Sequence, residues 1–498
     1  MTGSSQNLPS LSEAEAIAQG ADNPHGMNLL RLVMYTITLI IGAGVFSLAG
    51  DMAASGASGR AIITAWCISA FGVLCLVLTF YTLSRAKPEL KGGIYSYASD
   101  GFGKFIGFLS AWGYWISAMF CTVSFVAMLF SALGHFFPIF GTGNNLPSVV
   151  GGSIIIWFYA WVVSHGVKEA AGVNVVVTFC KLIPLLVAIC VIITFQAFDP
   201  AIFVSNLNRS AAGEMPFTDQ VTGALVTTVW VFIGIEGAVA ISGRAKHHTD
   251  VGRATIIAFL CVLTLYVCIT LLALGVMPIE ELAKLSNPSL ADILRYAVGD
   301  WGAVLINVGV SVSIIGAMLG YTVLSSEVAF EAAERGVFLK LFTKTNANGA
   351  PIATLVISNV VIECFLVVML FSSGTYQFFY HISSGMILLP YLFSTAYLLK
   401  IAITQPQAFK GKIGGAVWFY GIVGVLGVAY SLLLLYSTGI VGFSITSFLY
   451  APGIIVYVVG RRERGEKFFQ QKSDWIALAV IAVALIAAIY FMATGQVV

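Results

Sequence analysis

The chain has 498 residues, of which 58% are hydrophobic and only 10% are charged, and its formal net charge at pH 7 is +2. So few charged residues could not cover the surface of a soluble domain of this size, which excludes that class of protein. Apolar runs long enough to cross about 30 Å of hydrocarbon recur from one end of the chain to the other. The sequence therefore predicts an all-α polytopic membrane protein that is surrounded by the lipid bilayer.

The first segment, residues 1–28, begins with small and polar residues and is predicted to be a cytoplasmic amino-terminal tail. About thirteen transmembrane helices are predicted after it, and the linkers between them are too short to form a soluble domain. The predicted spans cover residues 29–55, 60–83, 105–136, 148–165, 172–197, 220–243, 254–276, 302–334, 351–372, 377–399, 414–436, 439–460 and 475–494.

The distribution of basic residues predicts the orientation of the chain. If the amino terminus is cytoplasmic, the inside segments carry 20 of the 25 Lys and Arg residues, and the outside segments carry four. This positive-inside bias predicts a multi-pass protein of the cell inner (plasma) membrane with a cytoplasmic amino terminus. The remaining basic residue is Lys181, in the middle of the fifth predicted span.

Glycines interrupt the first predicted span at "GAGVF", residues 42–46. In hydrocarbon an unpaired backbone group costs several kcal/mol, so a helix is broken only where its freed groups face protein, water or a ligand. Unwinding at Gly42 and Gly44 would expose amides at the start of a second half-helix, and such an end binds carboxylates. The alternative is that both glycines only allow close packing of helices.

A second interruption lies in the sixth predicted span, where Gly234 and Gly237 flank Glu236. Four intact spans separate the two interruptions, which is the arrangement of two five-helix inverted repeats that each open with a broken helix. In such folds the breaks meet at the membrane midplane, where one offers amides to a carboxylate and the other offers carbonyls to an ammonium. The expected units are a first repeat at 29–200, a second inverted repeat at 218–402 and additional transmembrane helices at 413–498.

The sequence gives no sign of catalytic or metal chemistry. Its eight cysteines lie in apolar spans without CxxC spacing, so we expect neither a metal site nor a disulfide framework. It contains no GxxxxGK[ST] phosphate loop, nucleotide fingerprint or catalytic triad signature. We therefore expect a protein that is not an enzyme, with no cofactor and no nucleic-acid partner.

Eight motifs in a consistent order carry a family resemblance. They are "IGAGVFSLAGDMA" (41–53), "GGIYSYA" (92–98), "SAWGYW" (110–115), "GVKEAAGVN" (166–174), "KLIPL" (181–185), "WVFIGIEGAV" (230–239), "SGRAK" (242–246) and "ERGVF" (334–338). With these motifs the chain resembles, over nearly its whole length, the amino acid–polyamine–organocation superfamily, and within it the basic amino acid antiporters of the arginine–ornithine exchanger type.

The resemblance implies a LeuT-like fold and an antiporter that exchanges a cationic amino acid for a related amino acid or amine by alternating access. A homodimer is a further expectation. The resemblance also implies substrate-binding positions. They are Ile41, Gly42, Ala43 and Gly44 for the carboxylate, Ile233 and Gly234 for the amine, Trp230 as a lid, Tyr321 against the side chain, and Ser117, Ala118, Thr122 and Phe125 on the third span.

The resemblance implies gating or proton coupling for three residues, Tyr114, Lys181 and Glu236. A lysine at the centre of a span costs about 2.5–3.5 kcal/mol on insertion scales, so Lys181 needs a reason to be there. In this fold its ammonium could take the place of the sodium ion of sodium-coupled relatives and brace the first break. Either its titration couples protons to transport, or it is a fixed charge that only holds the broken helix. Glu236 could instead only bond the backbone freed in its own helix.

Departures from the family pattern leave the substrate open. Thr122 and Tyr321 stand where arginine–agmatine exchangers carry an asparagine and a tryptophan, and His381 is a candidate pocket-lining residue. An exchanger of an amino acid and its decarboxylated amine, of the histidine/histamine type, therefore remains an alternative. So do an ion-driven symporter, in particular a proton-coupled amino acid symporter, and a sensor that only binds.

Three further features are noted for their position. Asp51 is a lesser candidate for a site, and Glu363 has no assigned role. The cytoplasmic loop at residues 84–104 is basic and rich in glycine, and its alternation of aromatic and small residues predicts a short interfacial helix that shapes the inner gate.

Overall fold

The computed structural model describes residues 26–90, 93–165, 171–240, 245–371 and 375–494, and nearly all of them are helical. Within these ranges eleven helices are long and apolar enough to cross a membrane. Shorter apolar helices occupy the first and fifth predicted spans. The prediction of an all-α polytopic membrane protein is confirmed, whereas the number thirteen and the division into repeats remain predictions. Residues 1–25 of the predicted amino-terminal tail lie outside the described residues.

The α-helices are numbered here in chain order. They are α1 (Leu29–Ile40), α2 (Leu48–Ala54), α3 (Gly59–Ala86), α4 (Ile94–Phe102), α5 (Lys104–Gly134), α6 (Leu146–Ser164), α7 (Ala171–Thr194), α8 (Pro200–Asn208), α9 (Phe217–Phe232), α10 (Gly237–Ala240), α11 (His248–Ala273), α12 (Ile279–Leu282), α13 (Ser289–Val298), α14 (Asp300–Glu334), α15 (Ile352–Met369), α16 (Thr375–Thr404), α17 (Val417–Ser437), α18 (Gly439–Glu463) and α19 (Lys472–Ala493).

Both interrupted helices that the glycines predict are present. In the first span α1 ends at Ile40, a single 3-10 turn covers Gly44–Phe46, and α2 begins at Leu48. In the sixth span α9 ends at Phe232 and α10 begins at Gly237. We call residues 41–47 the first break and residues 233–236 the second break.

The core of the molecule surrounds α5, which is buried along most of its length and packs against α14 and α16. The interrupted helix α1 packs against α7 and α11, and α9 packs against α3. This arrangement places both breaks inside the protein, where freed backbone groups meet protein atoms and not hydrocarbon.

The carboxyl-terminal helix α19 lies at the periphery and packs mainly against α18. Its apolar side chains Ile476, Val480 and Val483 are exposed, as expected of a helix that faces lipid.

The predicted interfacial helix of the loop at 84–104 is α4, which packs on α5 and α16. The hydroxyl of Tyr95 on this helix donates a hydrogen bond to Glu331 Oε2 at 2.5 Å, at the cytoplasmic end predicted for α14. The loop therefore connects to the end of the long helix whose middle faces the breaks.

Candidate functional site at the two helix breaks

The two breaks are in direct contact. A Cβ atom added to Gly44 would lie 2.6 Å from Val231 Cγ1 and 2.8 Å from Trp230 Nε1. A Cβ atom added to Gly234 would lie 2.7 Å from the carbonyl oxygen of Leu39, and the φ angle of Gly234 is +104°. Glycine is thus required at the second break both by this close backbone approach and by a conformation that L side chains rarely adopt.

The first break leaves amide groups unpaired. Its 3-10 turn is closed by bonds from Phe46 N to Ala43 O and from Ser47 N to Gly44 O. Across the described ranges, the amides of Ala43, Gly44 and Val45 have no hydrogen-bond acceptor. Buried amides without acceptors are costly, so an anionic group at this position would be stabilised by them.

The second break leaves carbonyl groups short of donors. Ile235 N donates to Phe232 O, so the Val231 carbonyl loses the donor that it would have in a continuous α-helix. Within the described residues, the Ile233 carbonyl accepts only a long bond from the Tyr321 hydroxyl, at 3.4 Å. Carbonyls at the end of a half-helix carry partial negative charge and attract a cation.

Tyr321 joins the two breaks. Besides its bond to Ile233 O, its hydroxyl lies 3.5 Å from the Leu39 carbonyl at the end of α1. Two more hydroxyls bond carbonyls next to the first break, Tyr266 to Ile40 O at 3.2 Å and Ser313 to Gly42 O at 3.1 Å. The carbonyls of the first break are therefore largely supplied with protein donors.

Lys181 supplies the strongest of these donors. Its Nζ atom donates to Thr38 O at 2.8 Å and to Ile41 O at 3.0 Å, and the side chain is completely buried. The Gly42 amide turns to Ile40 O, which leaves the Thr38 carbonyl without its helical donor. The ammonium of Lys181 thus satisfies carbonyls that the interruption sets free, which offsets part of the cost of its burial.

Glu236 is completely buried at the second break. The amide of Gly234 donates to both of its carboxylate oxygens, each at 3.2 Å, and the Tyr391 hydroxyl donates to Oε2 at 2.8 Å. The hydroxyl of Tyr114 lies near this carboxyl but makes no hydrogen bond of acceptable geometry to it. Glu236 therefore satisfies the amide freed in its own helix and ties it to α16.

Aromatic rings surround the contact between the breaks. Trp230 packs on Phe125 with ring centroids 5.9 Å apart, and Phe125 meets Tyr321 edge-on at 5.1 Å. On its other side Trp230 stacks on Tyr380 at 5.4 Å, and its Nε1 donates to the Tyr376 hydroxyl at 2.9 Å. Sequence reasoning missed both tyrosines of α16, although their spacing of four residues places them on one face of a helix.

The remaining predicted residues of α5 are buried but bonded to protein. Ser117 Oγ donates to the Ser383 carbonyl on α16 at 2.9 Å, and Cys121 Sγ lies 3.0 Å from Ser383 Oγ. Thr122 Oγ1 donates to the Ala118 carbonyl one helical turn earlier, at 3.1 Å. Ser117 therefore joins α5 to α16, while Thr122 bonds within its own helix. Sequence reasoning did not identify Cys121 or Ser383.

His381 does not face the breaks. Its ring stacks on Tyr380 at 4.5 Å and lines a separate cleft of about 290 Å³ with residues of α9 and α18, among them Val226 and Ile445. One residue along an α-helix rotates the side chain by about 100°. Because Tyr380 faces Trp230, the side chain of His381 points away from that ring and into the cleft. That His381 lines the substrate pocket stays a prediction.

The family model for amino acid permeases matches residues 27–460. The chain is 40% identical over 469 residues to an arginine/ornithine antiporter of Pseudomonas aeruginosa, covering 93% of this chain and 96% of the relative. It is 36% identical over 478 residues to an arginine/agmatine antiporter of Chlamydia pneumoniae (95% and 98% covered) and 35% identical over 475 residues to one of Chlamydia trachomatis (95% and 97% covered). These matches confirm the resemblance read from the eight motifs. The chain belongs to the amino acid permease family.

Proposed function

We propose that this chain is a membrane antiporter of the arginine/ornithine type, which exchanges a cationic amino acid for a related amino acid or amine by alternating access. The observation that carries the proposal is the contact between the two breaks, with unpaired amides on one side and carbonyls short of donors on the other. The names of the relatives, which are arginine/ornithine and arginine/agmatine antiporters, support the choice of a cationic substrate.

The backbone of an α-amino acid fits this pair of breaks. Its carboxylate would accept hydrogen bonds from the amides of residues 43–45, and its ammonium would donate to the carbonyls of Val231 and Ile233. Each end thereby pairs with backbone dipoles that are already oriented in a site of low dielectric constant. Binding needs no protein charge at either end, which leaves Lys181 and Glu236 free for another role.

The side chain of the substrate would extend toward the aromatic rings. A guanidinium or ammonium over Trp230 or Tyr321 gains about 0.5–2 kcal/mol when it is desolvated. Flat ring faces accept cations of different shape, which an exchanger of two related substrates requires. Phe125, between these two rings, would contribute apolar contact with the methylene stem.

For Lys181 we propose a role in holding and releasing the first break. Its ammonium bonds the carbonyls of Thr38 and Ile41, and loss of the proton would weaken both bonds. For Glu236 the corresponding role is at the second break, where its bond to Tyr391 links α10 to α16. Tyr114, beside the same carboxyl, belongs to this gating group.

The proposed placement is the cell inner membrane, with the amino terminus in the cytoplasm. The excess of Lys and Arg in the predicted inside segments supports this orientation. Chemical labelling of single cysteines introduced into the loops of intact cells tests it. Assembly as a homodimer stays a prediction, to be tested by crosslinking in native membranes.

The function is tested by counterflow in proteoliposomes. Purified protein is reconstituted without an ion gradient, and uptake of labelled arginine is measured with and without internal substrate. An antiporter requires the internal substrate, whereas an ion-driven symporter responds steeply to an imposed pH or sodium gradient and a sensor binds without flux. A panel of arginine, ornithine, lysine, histidine, tyrosine and their amines identifies the pair. A preference for histidine and histamine would overturn the arginine/ornithine assignment.

A further inference from the structure

A second buried acid lies beyond the first break. Asp51, on α2, is only 4% exposed, and its Oδ1 atom accepts a hydrogen bond from Gln377 Nε2 at 3.2 Å. Its Oδ2 atom is buried and has no hydrogen-bond partner among the described residues. No lysine, arginine or histidine in those ranges forms an ion pair with it either, although a buried carboxylate is costly unless it is paired.

Neutral polar groups surround this carboxyl. The phenols of Tyr376 and Tyr380 lie close enough to interact with it electrostatically, and the amide of Asn287 is near it on another side. The fixed neighbours therefore include hydrogen-bonding groups but no cation. The missing partner of Asp51 has to be a proton or a mobile positive charge.

The same two tyrosines connect Asp51 to the breaks. Tyr380 stacks on Trp230 at 5.4 Å, and the Tyr376 ring is 6.2 Å from Trp230. Trp230 in turn touches Gly44 at the first break. Aromatic rings thus extend from the proposed substrate site to the two phenols that interact electrostatically with Asp51.

Asp51 is buried, but it bonds a side chain that reaches the surface. Its hydrogen-bond partner Gln377 is partly exposed and stands near the start of α16. With the amino terminus in the cytoplasm, α2 and this end of α16 face the outside. A solute that enters from outside would then pass Gln377 and Asp51 before it reaches Trp230.

We propose that Asp51, with the neighbouring side chains of Tyr376 and Tyr380, forms an outer subsite for the cationic end of the substrate. The subsite rests on the proposed exchange of cationic amino acids. The incoming guanidinium or ammonium supplies the positive partner that Oδ2 lacks, and the aromatic ring of Tyr376 stabilises the same cation. The substrate then moves along the aromatic rings to the two breaks. The subsite would raise affinity from the outside and favour substrates with a positively charged side chain.

The test is the Asp51→Asn variant of the full chain in proteoliposomes of one orientation. The amide has nearly the same size as the carboxyl and keeps an oxygen for Gln377, but it carries no charge. We expect the external KM for arginine to rise about tenfold, because one charge-assisted contact is lost. The internal KM and the maximal rate should stay within about twofold of the wild type. Inhibition by external citrulline, a neutral analogue of arginine, should not change.

The matched control is Glu363→Gln, which alters another partly buried acid, bonded to Ser153 between α6 and α15, helices that do not carry Trp230, Tyr376 or Tyr380. Its external KM should equal that of the wild type. If Asp51→Asn does not assemble, Gln377→Ala serves instead. It removes the bond to Oδ1 and should lower the external KM for arginine about two- to threefold.

An unchanged external KM in the variant that assembles would overturn the subsite. So would an equal loss of affinity for arginine and citrulline, or an equal rise of the KM for arginine on the two sides of the membrane. These results differ from a failure of the proposed function itself. In that case the wild-type protein would show no counterflow of arginine, and the variants would have no exchange to modify.

Discussion

At the first break the unoccupied backbone groups are amides, whereas at the second they are carbonyls. The carbonyls of Thr38 and Ile41 at the first break are taken by the ammonium of Lys181. The amide of Gly234 at the second break is taken by the carboxylate of Glu236. Each break is therefore contacted by one ionisable side chain of the protein, which satisfies one kind of backbone group and leaves the other kind free.

Because the free backbone groups differ between the two breaks, the site can orient its ligand without a charged contact to it. Lys181 bonds carbonyls where a substrate ammonium could otherwise bind. Glu236 bonds an amide where a substrate carboxylate could otherwise bind. In the proposed binding mode the zwitterionic end of an amino acid therefore has one orientation, with its carboxylate at the first break and its ammonium at the second. The two interruptions look alike in sequence, but they are complementary in the folded chain.

The largest expected effect comes from Gly234→Ala, which acts on the contact between the breaks. The φ angle of +104° is strained for alanine, and its Cβ atom would lie 2.7 Å from the carbonyl of Leu39. Backbone atoms cannot move aside cheaply, so we expect exchange to fall by more than about a hundredfold, near 3 kcal/mol. Counterflow rates per milligram of reconstituted protein measure this. Gly414→Ala, where no atom lies within 4 Å of the new Cβ, should exchange normally.

Lys181→Met removes the terminal amine of the side chain and keeps most of its volume. The carbonyls of Thr38 and Ile41 lose their donor inside the protein, at about 1–3 kcal/mol for each unsatisfied group. We expect exchange to fall at least tenfold, with a changed dependence on pH. Lys284→Met, an exposed lysine away from both breaks, is the control. Full exchange with the pH dependence of the wild type would mean that Lys181 has no role in transport.

Much of the comparison could be predicted from sequence, because the relevant residues violate the ordinary rules for a membrane span. Glycines in the middle of apolar runs predicted both breaks at the correct positions. A lone basic residue in the middle of the fifth span, Lys181, stood out because every other Lys and Arg lies in a predicted loop or at the end of a predicted span. Such exceptions are readable because hydrocarbon makes them costly.

The faces of the helices could not be predicted in the same way. In a membrane both the lipid side and the protein side of a helix are apolar, so the periodicity that marks the buried face of a soluble helix is weak. On α16 this hid Tyr376 and Tyr380, which face Trp230, and made His381 look equally suited to the pocket. The surroundings of Asp51 could not be predicted either, because the residues around its carboxyl come from distant segments of the chain.

A smaller effect is expected when the charge of Glu236 is removed but its hydrogen bond to the second break is kept. Glu236→Gln keeps an oxygen that can accept from Gly234 N, whereas Glu236→Leu leaves that amide buried without an acceptor. We expect the glutamine variant to lose about threefold in exchange and the leucine variant about ten times more than that. Parallel counterflow assays of the two variants distinguish them. Equal losses would show that the charge, and not the bond to the second break, is what matters at this position.

The smallest expected effect comes from Tyr95→Phe, at the end of the molecule farthest from the outer subsite. Burial raises the pKa of the Tyr95 phenol, so the hydroxyl stays protonated and keeps donating to Glu331. Without this bond the contact between α4 and α14 weakens, and the inward-open state gains population. The external KM for arginine should then rise about two- to threefold, because fewer molecules are open to the outside. Tyr97→Phe on the same helix, whose ring stacks on Tyr397 at 6.0 Å, should leave it unchanged. If both variants behave alike, the bond to Glu331 does not hold the inner end closed. The balance between the inward-open and outward-open states would then be set by the two breaks and not by this bond.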